Sequence, residues 1–197
     1  MADNHDAQAW PEIYVAKKLT ERTAIAGFSE LHIGKDISTA MEEQVGIGFS
    51  YSPNPFISLV PFYRWIAGQS RPDHHTQESR PQLDVILHIP LRWRFAINDR
   101  NRCELRWIDG HPSQRYGNRM LLEHPLLLAK KRFTPFGGVE WFYDTRFDMW
   151  NRTRYSAGVH LPINPHVEFS PYYLHQNDSR AIPGHVNAIA MVWRLEY

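Results

Sequence analysis

The chain has 197 residues, enough for one substantial domain, and its 22 basic and 21 acidic side chains leave a formal net charge of +1. That balance argues against a nucleic-acid partner, which needs an excess of Lys and Arg facing phosphates, and the single Cys103 excludes an internal disulfide framework or a multi-cysteine metal site. Aromatic residues make up 13% of a chain whose mean hydropathy is −0.49, and no apolar run approaches the roughly 20 residues of a membrane-spanning helix.

The opening, MADNHDAQAW, has neither a basic n-region nor an apolar h-region, so no signal peptide is read in it. Residues 1–9 are expected to form a tail ahead of one domain over 10–197. Helical periodicity is sustained nowhere, whereas period-two alternation recurs along the whole chain. Strands are predicted at 11–19, 22–34, 41–52, 55–67, 77–89, 93–107, 114–124, 135–145, 151–162, 166–176 and 184–197. Turn chemistry in GKDIS, SPNP, DGHPS, INPH and AIPG separates them.

Successive side chains on a strand point to opposite faces. In QVGIGFSY the apolar set is Val45, Ile47, Phe49 and Tyr51, against Gln44, Gly46, Gly48 and Ser50. In LDVILHI it is Leu83, Val85, Leu87 and Ile89, against Asp84 and His88. The segment NDRNRCELRW sets Arg100, Arg102, Glu104 and Arg106 on one face and Cys103, Leu105 and Trp107 on the other. Later strands add Arg115, Arg119, Glu123, Glu140, Arg152, Arg154 and Glu168. One face of the sheet is therefore apolar and the other carries both signs of charge. A solvated outer face of a sandwich would look like this. So would the lumen of a closed barrel, in which arginine forks pair with carboxylates across strands.

Three features favour a charged lumen with an apolar outside. Aromatics such as Trp65, Trp107, Trp141, Tyr173 and Trp193 cluster near strand ends, as interfacial girdles do. Gly46, Gly48 and Gly158 on the charged face would crowd little in a narrow interior. The chain also closes on AIAMVWRLEY, in which Ile189, Met191, Trp193, Leu195 and Tyr197 form an apolar stripe.

AIAMVWRLEY resembles the C-terminal strand signal by which bacterial outer-membrane barrels are recognised by the machinery that folds them. The succession RNRCELRW, RYGNRMLLEHP, GVEWFYD, RTRYSAGVHL and HVEFSPYYLHQ is similar to a family of predicted outer-membrane proteins, domain of unknown function 2490. The resemblance runs from Trp10 onward and is strongest over 98–176. It implies a closed antiparallel transmembrane β-barrel, an up-and-down meander of ten to twelve strands. It also implies secretion across the inner membrane, insertion in the outer one, contact with outer-membrane lipid, and help from the barrel-assembly machinery. It carries no activity.

Single-chain bacterial barrels have an even number of strands, so the eleven read here leave 10–19 over. That segment would pair with a missed twelfth strand or lie in the lumen or the periplasm. Working back from Tyr197, INPH, IPL, SPNP and TER fall at the periplasmic end as short turns, with longer connections expected at the other end. LLLAKKR (126–132) is expected to anchor at the membrane interface.

No G-x-S-x-G elbow, phosphate-cradling glycine loop or H-E-x-x-H is present, so no catalytic residue, metal or cofactor is assigned. His74 and His75 beside Asp73 read as an outer loop. The expected lumen network is Arg100, Arg102, Glu104, Arg106, Arg119, Glu123, Glu140, Arg152, Arg154 and Glu168, giving a structural barrel or one passing small polar or anionic solutes. Two alternatives stand beside it. One is an embedded lipid hydrolase using His160, His175 or His185 with Ser170 or Ser179 and Asp178. The other is a soluble barrel binding an apolar ligand.

Overall fold

The computed structural model describes residues 5–71, 74–128 and 131–197. The strands are β1 (His5–Lys18), β2 (Thr23–Gly34), β3 (Thr39–Asn54), β4 (Ile57–Arg71), β5 (His74–Pro90), β6 (Ala96–Ile108), β7 (His111–Glu123), β8 (Leu126–Leu128), β9 (Lys131–Asp144), β10 (Met149–Asn164), β11 (Val167–Asp178) and β12 (His185–Glu196). Strand β8 pairs only with the start of β9, from Leu126↔Phe133 to Leu128↔Lys131, as a short hairpin at the end of the barrel that carries Tyr197. The other eleven close into a barrel. Each pairs with its neighbour in sequence, and β9 joins both β7 and β10.

All neighbours are antiparallel except one pair. Strand β1 runs parallel to β12, from His5↔His185 to Ala16↔Glu196. The C-terminal residue is stitched into this seam, because Tyr197 N donates to Ala16 O at 3.0 Å and Lys18 N donates to Tyr197 O at 2.7 Å. Segment 10–19, up to Lys18, is therefore part of a wall strand that needs no twelfth long strand: a parallel seam lets an odd number close. Residues 5–9, expected outside the domain, are the first residues of β1, and residues 1–4 lie outside those described. The expected contrast of short turns at one end and long loops at the other is absent. The strands run further into the expected loops, with β4 reaching Arg71, β5 starting at His74 and β6 and β7 separated by Asp109 and Gly110 alone.

The alternation sorts the two faces cleanly. Ile13, Ile25, Ile47, Leu83, Leu105, Leu122, Tyr155 and Ile189 are exposed on the outer surface, whereas Gln44, Arg80, Asp84, Arg102, Glu104, Arg115 and Glu140 are buried in the interior. Leu83 is 44% exposed and Glu104 only 2%. A soluble barrel with an apolar core is the reverse of this arrangement, and that alternative falls. Closure pairs the backbone groups of every long strand, which a sheet needs if it is to stand in hydrocarbon. Among the described residues no helix is long and apolar enough to cross a membrane.

Close approaches inside the wall depend on glycine. A Cβ on Gly158 would lie 2.3 Å from Tyr172 Cβ and 2.6 Å from the Pro171 carbonyl oxygen, so backbone would have to yield. Gly158→Val is expected to destabilise the barrel by about 1–3 kcal/mol through overpacking. Gly137→Ala, whose added carbon would meet only Ser156 O at 3.8 Å, is expected to stay within about 0.5 kcal/mol. Urea unfolding of the two variants in detergent measures the contrast.

Candidate functional site

The interior divides into two half-walls. Strands β11, β12, β1, β2 and β4 turn apolar side chains inward. Trp10, Leu174, Val186, Ala188 and Ala190 form one cluster, and Ala26, Phe28 and Phe62 another. Strands β5, β6, β7, β9 and β10 carry most of the charges, with Glu30 on β2, Glu42 on β3, Arg64 on β4 and Asp178 on β11 added from the other strands. Trp10 sits at the boundary, stacked on His32 at 4.1 Å, with its Nε1 donating to Gln8 Oε1 at 2.7 Å.

Cross-strand register explains the ion pairs. Asp84 faces Arg102 in the β5–β6 ladder, and Glu104 faces Arg115 in the β6–β7 ladder. Arg102 donates Nε and Nη2 to the two Asp84 oxygens, each at 2.7 Å. Arg115 grips Glu104 in the same two-pronged way, at 2.5 and 3.1 Å. Arg106 reaches Glu78 at 2.6 and 2.9 Å and Asp144 at 3.0 Å. Arg80 adds a bond to Glu78 at 2.6 Å and approaches Glu104 at 3.7 Å, and Arg100 of β6 reaches over β7 to pair with Glu140 of β9. These are fork-to-carboxylate contacts of the strong, charge-assisted kind. The buried ions of these pairs are tolerable because each meets its opposite.

The expected lumen residues fall into two groups. Arg100, Arg102, Glu104, Arg106, Glu140, Arg152 and Arg154 all reach the interior. In the β10–β11 ladder Arg152 faces Asp178 and Arg154 faces Gln176, so that Arg152 meets Asp178 at 2.7 Å and Arg154 donates to Gln176 at 2.8 Å. Arg119 also lies inside, and its Nε is buried without a hydrogen-bond partner among the described residues. Glu123 and Glu168 stand apart, toward the end of Tyr197. His160 lies between them, 3.8 Å from Glu123 and 3.3 Å from Glu168.

Sequence reading missed Glu78, Arg80 and Asp144 as network members and took Asp84 only as a polar-face residue. The signal was present: Glu78, Arg80, Gln82 and Asp84 share one phase of TQESRPQLDV. It also missed the interior chain at the Tyr197 end in which His88 joins Asn98 at 2.6 Å and Ser58 at 3.1 Å.

The hydrolase constellation does not assemble. His160 meets Ser170 at 2.8 Å in the interior, but Asp178 belongs to Arg152 near the opposite end. His175 and His185 lie on the outward phase of β11 and β12, where their rings stack 6.1 Å apart. Of the residues expected in an outer loop, His75 lies on β5, while Asp73 and the His74 side chain lie outside the described residues. The C-terminal stripe is on the outer wall, with Ile189, Trp193 and Tyr197 exposed and Met191 and Leu195 half-buried.

Between the half-walls lies a cavity of about 140 Å³. Its lining includes eight arginines (64, 80, 100, 102, 106, 115, 152 and 154) and four glutamates (30, 42, 78 and 140), with Trp10, His32, Gln44 and Phe142.

The sequence comparison gives this geometry a family. The family described as "Protein of unknown function (DUF2490)" matches residues 7–187, nearly the whole barrel. The chain belongs to DUF2490. No curated protein matches it. Among solved structures, the DUF2490 chain is similar to the β-domain of the Bordetella autotransporter BrkA, with a TM-score of 0.55 and 12% identity over 89% of this chain and 82% of that one. It is similar as well to LpxR from Salmonella typhimurium, with a TM-score of 0.54 and 10% identity over 88% and 83% of the two chains. At these identities the likeness shows the fold, that of outer-membrane β-barrels.

Proposed function

We propose that this DUF2490 member resides in the bacterial outer membrane as a closed, structural barrel whose ion pairs fill the lumen. The observation that carries this reading is the network itself. Arginines and carboxylates from β5, β6, β7, β9, β10 and β11 meet along the inner face of the wall and leave a cavity of only about 140 Å³. A barrel this narrow is filled by side chains, and a filled interior conducts poorly.

The outer apolar stripe contacts outer-membrane lipid in this reading, with Trp65, Trp107, Trp141 and Trp193 at the levels where a girdle belongs. The stripe Ile189, Met191, Trp193, Leu195 and Tyr197 is what the assembly machinery reads. The end bearing Tyr197 faces the periplasm.

Planar-bilayer recording of the purified full chain tests the closed lumen. The wild-type barrel is expected to give a flat baseline at moderate voltage. Reproducible discrete conductance steps from the wild type would overturn the closed reading and favour passage of small solutes.

A further inference from the structure

The cavity's surface has a sign that its overall composition hides. Four carboxylates that balance the arginines, Asp84, Glu104, Asp144 and Asp178, do not line it; they hold Arg102, Arg115, Arg106 and Arg152 from behind. An arginine has five N–H donors, and Arg102 and Arg115 each commit Nε and Nη2 to a carboxylate, which leaves other donors on the cavity side. The four glutamates on the surface are already engaged. His32 lies 2.9 Å from Glu30 and 3.3 Å from Glu42, Arg80 and Arg106 hold Glu78, and Arg100 holds Glu140.

Two cavity arginines form no ion pair with a carboxylate among the described residues. Arg64 donates Nη1 to the neutral Gln44 at 3.1 Å, lies over the Phe28 ring at 4.4 Å, and keeps a buried Nε with no acceptor. Arg154 donates to neutral Gln176 and lies 5.2 Å from both the Trp10 and Phe142 rings. Both guanidinium groups are held by aromatic faces and amide oxygens, which fix position without cancelling charge.

We infer that this cavity is a binding site for one small free oxyanion, such as inorganic phosphate or sulfate, received mainly by Arg64 and Arg154. Arginine forks match the geometry of such oxygens, and a lumenal space of about 140 Å³ has no room for a lipid. The inference goes beyond the structural role proposed above and does not depend on whether the barrel conducts.

The test is equilibrium binding of inorganic phosphate and of sulfate to the detergent-solubilised full chain at low ionic strength. Saturable binding near one anion per chain is expected, weakened at least tenfold in the Arg64→Gln/Arg154→Gln double variant and unchanged in Arg22→Gln, which alters an exposed turn. A dihexanoyl phosphatidate, with the same phosphate on acyl chains, is expected not to compete; if it alone binds, the free-anion assignment falls. Absence of saturable binding, or a double variant that binds like wild type, overturns the proposal. Should the double variant fail to fold, wild-type thermal unfolding decides. Millimolar phosphate is expected to raise the midpoint beyond chloride of equal ionic strength, by mass action on the folded state. Equal midpoints would overturn the site.

Discussion

Replacing Glu104 by Gln is expected to cost the folded barrel about 3–5 kcal/mol. Glu104 is 2% exposed and receives both prongs of Arg115, with Arg80 and Arg102 at 3.7 and 3.9 Å. The amide keeps the shape but removes the charge, leaving Arg115 buried beside other cations without its own carboxylate. The loss is chiefly the penalty of that stranded charge. Glu104→Leu combined with Arg115→Met is therefore expected to be less damaging than either change alone, because a buried pair replaced by apolar groups is often near neutral. Arg80 and Arg102 keep Glu78 and Asp84 as their own partners. Urea unfolding of the four proteins in one detergent gives the double-mutant cycle. Losses that simply add would show that the two side chains do not act as a pair.

An arginine at position 47 is the matching test of the outer wall. Ile47 lies midway along β3, 59% exposed. In water such a change stays within about 0.5 kcal/mol. At the midplane of a bilayer it costs about 2–4 kcal/mol, falling to about 0–1 near the interface. Ile47→Arg is thus expected to lower stability strongly in reconstituted liposomes, while Leu19→Arg, at a turn beside the Tyr197 end and 55% exposed, is expected to do little. Equal effects at the two positions would remove the membrane assignment.

Much of the barrel was legible because its two faces obey different solvents. Val45, Ile47, Leu83, Leu105 and Ile189 alternate with Gln44, Asp84, Glu104 and Ala188, and a period of two assigns the side chains of each run between bulges to a face once one is placed. The sign of the assignment came from chemistry: Arg100, Arg102, Glu104 and Arg106 share a phase that neighbouring strands can answer with opposite charge. What stayed hidden has physical reasons. Partner identity depends on register, which alternation leaves open; the shared phase of Glu78 and Arg80 was legible, but their partners, and the place of Asp144, followed only when β5 and β9 were aligned with their neighbours. The division of the interior was hidden as well, because Ala188, Ala190 and Val192 are small or apolar on the inward face of a strand that is apolar outside too. Closure between β1 and β12 joins the two ends of the sequence, and no local pattern specifies its direction.

That direction has a consequence for anything attached to the wall. Because β1 and β12 descend side by side, a polypeptide segment joined ahead of His5 would start in the compartment of the 179–184 loop, and one joined behind Tyr197 in the opposite compartment. In the proposed setting those compartments are the cell exterior and the periplasm. Segments attached at the two ends of this seam would then lie on opposite sides of the bilayer.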